Sequence, residues 1–349
     1  MIHEYERVLS PASGLRLHLN ENTAGCSPRV LAAIHAMTRE QAAQYPDYDA
    51  AAAACASHLG ISADQVLLTN GLDEGILLVS IAALRGGGSV EPHEAIVVQP
   101  AFDMYAACTE AAGGRVVEVA PRPDFSFPLD AVLRAIGPGT HVVFLTNPNN
   151  PTGVAISRDA ILNVAERANP ALVLLDEAYI DFGGGSLLGD PALVDLPNVI
   201  IGRTFAKAYG LAGLRVGALI GQPQTLAPLR RIAPPYSLNV FAAGVLPAAL
   251  ADAEYYEWYL AQVRESKALL YQALERRGVR HWPSAANFVL ACFGGAAPRV
   301  AAGLAARDIF VRDRSQDPGC QGCLRITAGV VEHTRACIAA LEEVLCAVP

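Results

Sequence analysis

The sequence predicts an α/β fold, a mainly parallel sheet wrapped by helices, followed by a smaller α+β unit. Three observations predict it. Apolar runs of strand length alternate with stretches of helical period. Most of those runs are continuous rather than alternating, as a sheet covered on both faces requires. The pattern changes after about Ile232, where long helices take over. At 349 residues, 52% hydrophobic and 17% charged, the chain is long enough for about two domains with a large core and too apolar for intrinsic disorder.

In chain order, Val66–Thr69, Ile96–Val98, Val116–Val119, Val142–Leu145, Leu172–Leu175, Val199–Ile201 and Val216–Ile220 predict seven strands. Asp73–Leu84, Met104–Ala112, Leu129–Ile136 and Asp159–Ala168 predict the helices between them, and Ala50–Ala54 is a run of a strong helix former. Beyond Ile232, Asn239–Ala251 and Glu254–Arg277 predict long helices. A strand at Phe288–Ala291, a helix at Arg299–Ala306, a strand at Leu324–Thr327 and a closing helix at Glu332–Leu345 follow. Pro234-Pro235 stands at the change as a hinge. The expected division is a large domain over 26–232 and a small domain over 233–349.

Net charge is −8, from 26 basic and 34 acidic residues, which leaves no basic footprint for nucleic acid or an anionic membrane. Neither a secretory nor a transit signal fits Met1–Arg7, and the longest weakly polar stretch, Ser237–Ala251, is too short and too broken to span a bilayer. Eight irregularly spaced cysteines fit reduced thiols in a cytoplasm, with Cys320 and Cys323 as ordinary loop cysteines. The eight histidines are scattered singly, so no metal site is expected. Phosphate-loop, dinucleotide-fingerprint, H-E-x-x-H and G-x-S-x-G motifs are absent.

Only Lys207 and Lys267 among the 26 basic residues are lysines. Guanidinium does not deprotonate in proteins, so any amine chemistry falls to these two positions. Lys267 lies in a charged, amphipathic helix beside Arg264 and Glu265 and is expected to face solvent. Lys207 lies in Thr204-Phe-Ala-Lys207-Ala-Tyr-Gly-Leu-Ala-Gly-Leu-Arg215, just past a strand, among small and apolar residues. Partial desolvation there favours the neutral, nucleophilic amine. Upstream, Leu172-Val-Leu-Leu-Asp176-Glu-Ala-Tyr179 sets a carboxylate at the C-terminal end of a buried strand, where α/β sheets bind ligands. A lone Asp there could also cap a helix. Asn147-Pro-Asn-Asn150-Pro-Thr-Gly153 is a turn-rich loop after another strand, and turn chemistry alone competes as its explanation. Thr69-Asn-Gly71-Leu-Asp73-Glu74 passes from strand to helix through glycine, leaving free N–H groups for a phosphate.

Together these segments resemble the histidinol-phosphate aminotransferase family, class I/II aminotransferases among the fold type I pyridoxal-phosphate enzymes. The likeness runs from about Leu17 to Leu345. It implies a large domain with a mainly parallel seven-stranded sheet, a small α+β domain, and an N-terminal arm, residues 1–25, that joins the small domain. It implies pyridoxal 5'-phosphate as cofactor, with Lys207 forming the aldimine and carrying the proton between substrate and cofactor carbons. Asp176 would pair with the pyridine nitrogen, Asn150 and Tyr179 would bond the ring hydroxyl oxygen, and Phe102 would stack on the ring. Gly71, Leu72, Asp73, Thr204 and Arg215 would hold the phosphate, joined by Tyr45 from a partner subunit, so a homodimer is implied. Arg325 matches the arginine that grips the substrate anion, with Asn150 beside it, and Arg312 matches a second arginine for a substrate phosphate.

The implied reaction is a ping-pong transamination in the cytoplasm, from histidinol phosphate to 2-oxoglutarate, in histidine biosynthesis. Three other readings stand beside it: an aromatic or specialised amino donor, a threonine-phosphate decarboxylase, and a nonenzymatic cofactor-binding protein. Ala206 stands where the family usually has Ser, and Phe102 where Tyr is common. Tyr5 is the one candidate for an amino-terminal aromatic over the substrate.

Overall fold

The computed structural model describes residues 11, 13–86 and 92–346. Among these residues twelve strands form two sheets. They are β1 (Leu15–Leu17), β2 (Val66–Thr69), β3 (Glu94–Val98), β4 (Arg115–Val119), β5 (Thr140–Thr146), β6 (Leu172–Asp176), β7 (Val199–Thr204), β8 (Gly217–Ile220), β9 (Arg280–His281), β10 (Phe288–Cys292), β11 (Ile309–Asp313) and β12 (Cys323–Thr327). Tyr5 lies outside the described residues.

The larger sheet has the order β2-β8-β7-β6-β5-β3-β4. The pairs from β3 to β7 are parallel, and β8 alone runs against its neighbours. Successive residues of its central strands feed opposite cores, which is why the apolar runs are continuous. Val143, Leu145, Val173, Leu175 and Ile201 pack with Val132, Ile161 and Val164 from the helices Leu129–Ala135 and Arg158–Ala168. Val142, Phe144, Leu174, Ile200 and Leu219 pack with Ile76, Val79 and Tyr105 from the helices Gly71–Leu84 and Met104–Ala111. Each fully buried aliphatic side chain contributes roughly 1.5–3 kcal/mol of transfer free energy.

The register sets Thr146 beside Asp176 and Asp176 beside Gly202, so β5 and β6 finish level at the carboxyl edge and β7 runs just past them to Thr204. Gly217 in β8 lets the helix Gly71–Leu84 start against the sheet: a Cβ there would meet the Leu72 nitrogen at 2.7 Å. The helix Val240–Leu250 packs on Pro28–His35 and Asp49–Leu59.

The smaller sheet has the order β1-β11-β12-β10-β9. β1 pairs in parallel with β11, and the other pairs are antiparallel. Its core takes Val263, Leu270 and Leu274 from the helix Ala253–Arg276, Val300 and Leu304 from Ala297–Ala305, and Cys337 and Leu341 from Val331–Cys346.

Two expectations are corrected here. Lys267 does not face solvent. It is 8% exposed, its Nζ donates to the Ser284 carbonyl at 2.8 Å, and burial pushes its ammonium down to about 8. The charged neighbours Arg264 and Glu265 mark the outer face of that helix, but Lys267 stands on its buried stripe, one turn from Val263 and Leu270, and reaches the chain after β9. Cys323 is not a loop cysteine either: it opens β12, buried, in register with Cys292 of β10. Among the described residues no helix is long and apolar enough to cross a membrane.

Candidate active site

At the carboxyl edge of the large sheet lies a cavity of about 370 Å³. Leu72, Asp73, Phe102, Asn150, Asp176, Tyr179, Thr204, Lys207, Arg215, Arg312 and Arg325 all line it. Gly71 sits directly behind Arg215. It opens its helix with φ +74°, and a Cβ there would stand 2.5 Å from Arg215 Nη2. Tyr45 is the one predicted site residue that its own chain leaves far from this group. It is 79% exposed and stacks on Tyr236 at 4.3 Å between centroids.

Asp176 ends β6 at 4% exposure. Its Oδ2 accepts from the Tyr105 hydroxyl at 2.6 Å and its Oδ1 from the Ala178 N–H at 2.9 Å. Burial pushes the carboxyl up to about 6, against the pull of both hydrogen bonds and of nearby Lys207. The local bond to Ala178 is the cap-like role open to a lone Asp, and the second oxygen goes to the cavity side. Tyr105, 2.9 Å from the Thr146 hydroxyl, escaped sequence reasoning because an aromatic in the first turn of an amphipathic helix reads as core. Its neighbour Phe102 meets it edge to face at 5.9 Å.

Lys207 is half-buried after β7, with Nζ donating to the Leu19 carbonyl at 3.2 Å and lying 5.7 Å from the Tyr179 ring centre. The Tyr179 hydroxyl accepts from Asn20 Nδ2 at 3.1 Å. Behind Asp176, the next residue Glu177 is fully enclosed and paired with Arg203 at 3.0 Å, and Arg203 also faces Asp181 at 3.6 Å. This buried network fixes the turn that presents Asp176 and Tyr179.

The start of Gly71–Leu84 has no side-chain cap bond, so its first N–H groups remain available to an anion. Arg215, held in left-handed backbone at φ +56°, sends Nη2 to Asp73 at 2.7 Å. The Thr204 hydroxyl faces the same cup and accepts from the Ala206 N–H at 3.2 Å. An uncapped helix start, a guanidinium and a hydroxyl together make a phosphate cradle. A buried carboxylate and a lysine amine lie across the cavity from it. That donor set fits pyridoxal phosphate.

The opposite wall comes from the small sheet. Arg325 in β12 is 5% exposed; its Nη1 donates to Asn150 Oδ1 and its Nη2 to the His18 carbonyl at 2.8 Å. Burial pushes its guanidinium down to about 10, still charged at neutral pH. In the Asn147–Gly153 loop the turn bonds are made by Asn147, Asn149 and Thr152, which leaves the Asn150 side chain to Arg325. Arg312 in β11 forms no ion pair among the described residues, with the nearby Asp308 and Asp313 included. Arg314, unread in the sequence, also lines the cavity and pairs with Asp317.

Residues 12–341 match the family model for aminotransferase class I and II. A histidinol-phosphate aminotransferase from Symbiobacterium thermophilum is 36% identical over 347 residues, covering 99% of this chain and 94% of its own. A histidinol-phosphate aminotransferase 2 from Ralstonia nicotianae is 36% identical over 345 residues, 97% of this chain and 90% of its own. Among solved structures, histidinol-phosphate aminotransferase from Sinorhizobium meliloti, in complex with pyridoxal-5'-phosphate, superposes with a TM-score of 0.86 at 27% identity, covering 96% of this chain and 92% of that one.

Proposed function

The chain belongs to the class I and II aminotransferases, and from that premise we propose that it carries the amino group of histidinol phosphate to 2-oxoglutarate with pyridoxal phosphate as cofactor. The observation that carries this reading is the pair of arginines, Arg312 and Arg325, that the small sheet brings to the cavity Lys207 also lines. An arginine with no counter-ion among the described residues, beside a second that is buried, suits a donor with a dianionic head group.

Bound pyridoxal phosphate would supply the electron sink for the bond broken at the donor's α-carbon. Every other task falls to the chain. Arg215, Thr204 and the N–H groups after Gly71 would grip the phosphate. Asp176 would hold a proton on the ring nitrogen, whose positive charge in turn favours the ionised carboxylate in a site where burial alone disfavours it. Tyr179 and Asn150 would bond the ring hydroxyl oxygen, and Phe102 would cover the ring face. Lys207 Nζ would attach the cofactor and take the proton from the donor's α-carbon. Arg325 would hold the substrate anion and Arg312 a donor phosphate.

Tyr45 would reach the phosphate cradle of a second copy of this chain. The exposed Tyr45–Tyr236 stack supports this, since stacked aromatics left open to water favour burial against a partner.

The test is a half-reaction panel on the loaded enzyme with histidinol phosphate, phenylalanine, tyrosine and threonine phosphate. Histidinol phosphate is expected to discharge the visible absorption of the loaded enzyme, and 2-oxoglutarate to restore it. Discharge by phenylalanine or tyrosine alone would overturn the donor assignment. Carbon dioxide release without discharge would make the protein a decarboxylase.

A further inference from the structure

One side chain of the cavity has no partner. His18 follows β1, is 3% exposed and lines the cavity, yet neither Nδ1 nor Nε2 has a hydrogen-bond partner. Its ring meets Phe310 edge-on at 6.3 Å. Its backbone carbonyl is already engaged by Arg325, which leaves only the imidazole unassigned. Burial and the charges of Arg16, Arg312 and Arg325 disfavour protonation and outweigh Glu21. The ring is therefore neutral and carries one N–H with nowhere to donate. A buried donor left unmatched is costly and marks a place where something else supplies the acceptor.

The same wall holds two more unused donors. Arg325 Nε is buried without a partner, and Arg312 has no ion pair among the described residues. Three donor groups on one wall suit a group of several acceptor oxygens, as a phosphate monoester provides. A neutral donor has a further advantage in a cavity that receives two different anions in turn. It adds a hydrogen bond for one without adding a further positive charge that would hold the other.

We propose that His18 is a specificity-determining residue: its imidazole N–H bonds a phosphate oxygen of the amino donor seated against Arg312 and Arg325, and so favours phosphorylated donors. This rests on the phosphorylated-donor reading above. The loaded enzyme and its His18→Phe and His18→Asn variants test it, the first keeping the ring and the second keeping a neutral donor. For each, kcat/KM is measured with histidinol phosphate, histidinol and 2-oxoglutarate, together with the inhibition constant of inorganic phosphate. His18→Phe is expected to lower kcat/KM for histidinol phosphate roughly 10–100-fold, mainly through KM, and to weaken phosphate inhibition similarly. Histidinol and 2-oxoglutarate should move by less than about threefold, and His18→Asn should recover most of the loss.

Equal losses with histidinol phosphate and histidinol, or unchanged phosphate inhibition, would overturn the proposal. If the unmodified enzyme accepts no phosphorylated donor, the donor reading fails on that observation alone. Phosphate inhibition then decides His18: weakened in His18→Phe, the anion contact stands; unchanged, it falls. Should His18→Phe not fold, the same comparison in His18→Leu, which also lacks the donor, decides, with the same loss of phosphate preference expected.

Discussion

The two walls of the cavity are finished to different degrees. On the large-sheet side the groups proposed to meet the cofactor already have protein partners: Asp176 takes Tyr105 and Ala178, Arg215 takes Asp73, and Lys207 takes the Leu19 carbonyl. On the small-sheet side donors remain open, with His18 unpartnered, Arg325 Nε unpartnered and Arg312 without an ion pair among the described residues. The difference follows from how long a ligand stays. A wall built for a resident cofactor gains from being ordered before the cofactor arrives, since preorganised groups need no rearrangement on binding. A wall for substrates that come and go must leave its donors to be satisfied by the visitor.

The largest break in this picture comes from Lys207→Ala. It should lower transamination by at least about a thousandfold and abolish the visible absorption of the loaded enzyme, whereas Lys267→Ala should keep that absorption. An unchanged spectrum in Lys207→Ala would remove the amine from the large-sheet wall. Next, Arg325→Lys removes the fork and should cost roughly a hundredfold in kcat/KM for donor and acceptor alike, with cofactor retained. Loss of cofactor in that variant would mean that the walls are not independent.

A smaller effect concerns pH. The folded chain holds the Asp176 proton up to about 6, while the unfolded chain releases it near 3.8. Between those values the folded state binds more protons, so this group's contribution to stability falls as pH rises. In the cofactor-free protein Asp176→Asn should therefore gain stability relative to the unmodified chain from about pH 4 to 6, read by denaturant titration at each pH. Tyr105→Phe should shift that window upward, because the hydroxyl's bond favours the carboxylate.

The smallest effect is at Lys267. Its folded value of about 8 lies below the ordinary 10.5, so this lysine's contribution to stability rises with pH across that interval. Lys267→Met should flatten the rise in a series of thermal melts and leave turnover within about threefold.

The cofactor wall was legible in the sequence because its residues sit in contiguous runs at strand ends, where position along the chain fixes position in space. Asp176, Thr204 and Lys207 each follow a continuous apolar strand, and the parallel register brings those ends to one edge. The substrate wall was half legible. Arg325 and Arg312 stood out by resemblance, but β1 has three residues and β11 is half-buried, so neither announces itself as a strand. His18 and Arg314 matter only through those strands and could not be placed without them. Lys267 misled for a different reason. Its charged neighbours Arg264 and Glu265 drew attention to the polar face, whereas Val263, Lys267, Leu270 and Leu274 fall on one helical stripe, the buried one.

The pairing of β1 with β11 also sets a timetable. Leu15 meets Ile309, so the strand that delivers His18 to the cavity waits for a partner made long after it. The residues of the cofactor wall, from Gly71 to Arg215, emerge much earlier and form one side of a single sheet. Domains fold broadly in the order of synthesis. The nascent enzyme should therefore be able to assemble its phosphate cradle before it has any means of choosing a substrate, so that on the ribosome selectivity follows cofactor binding.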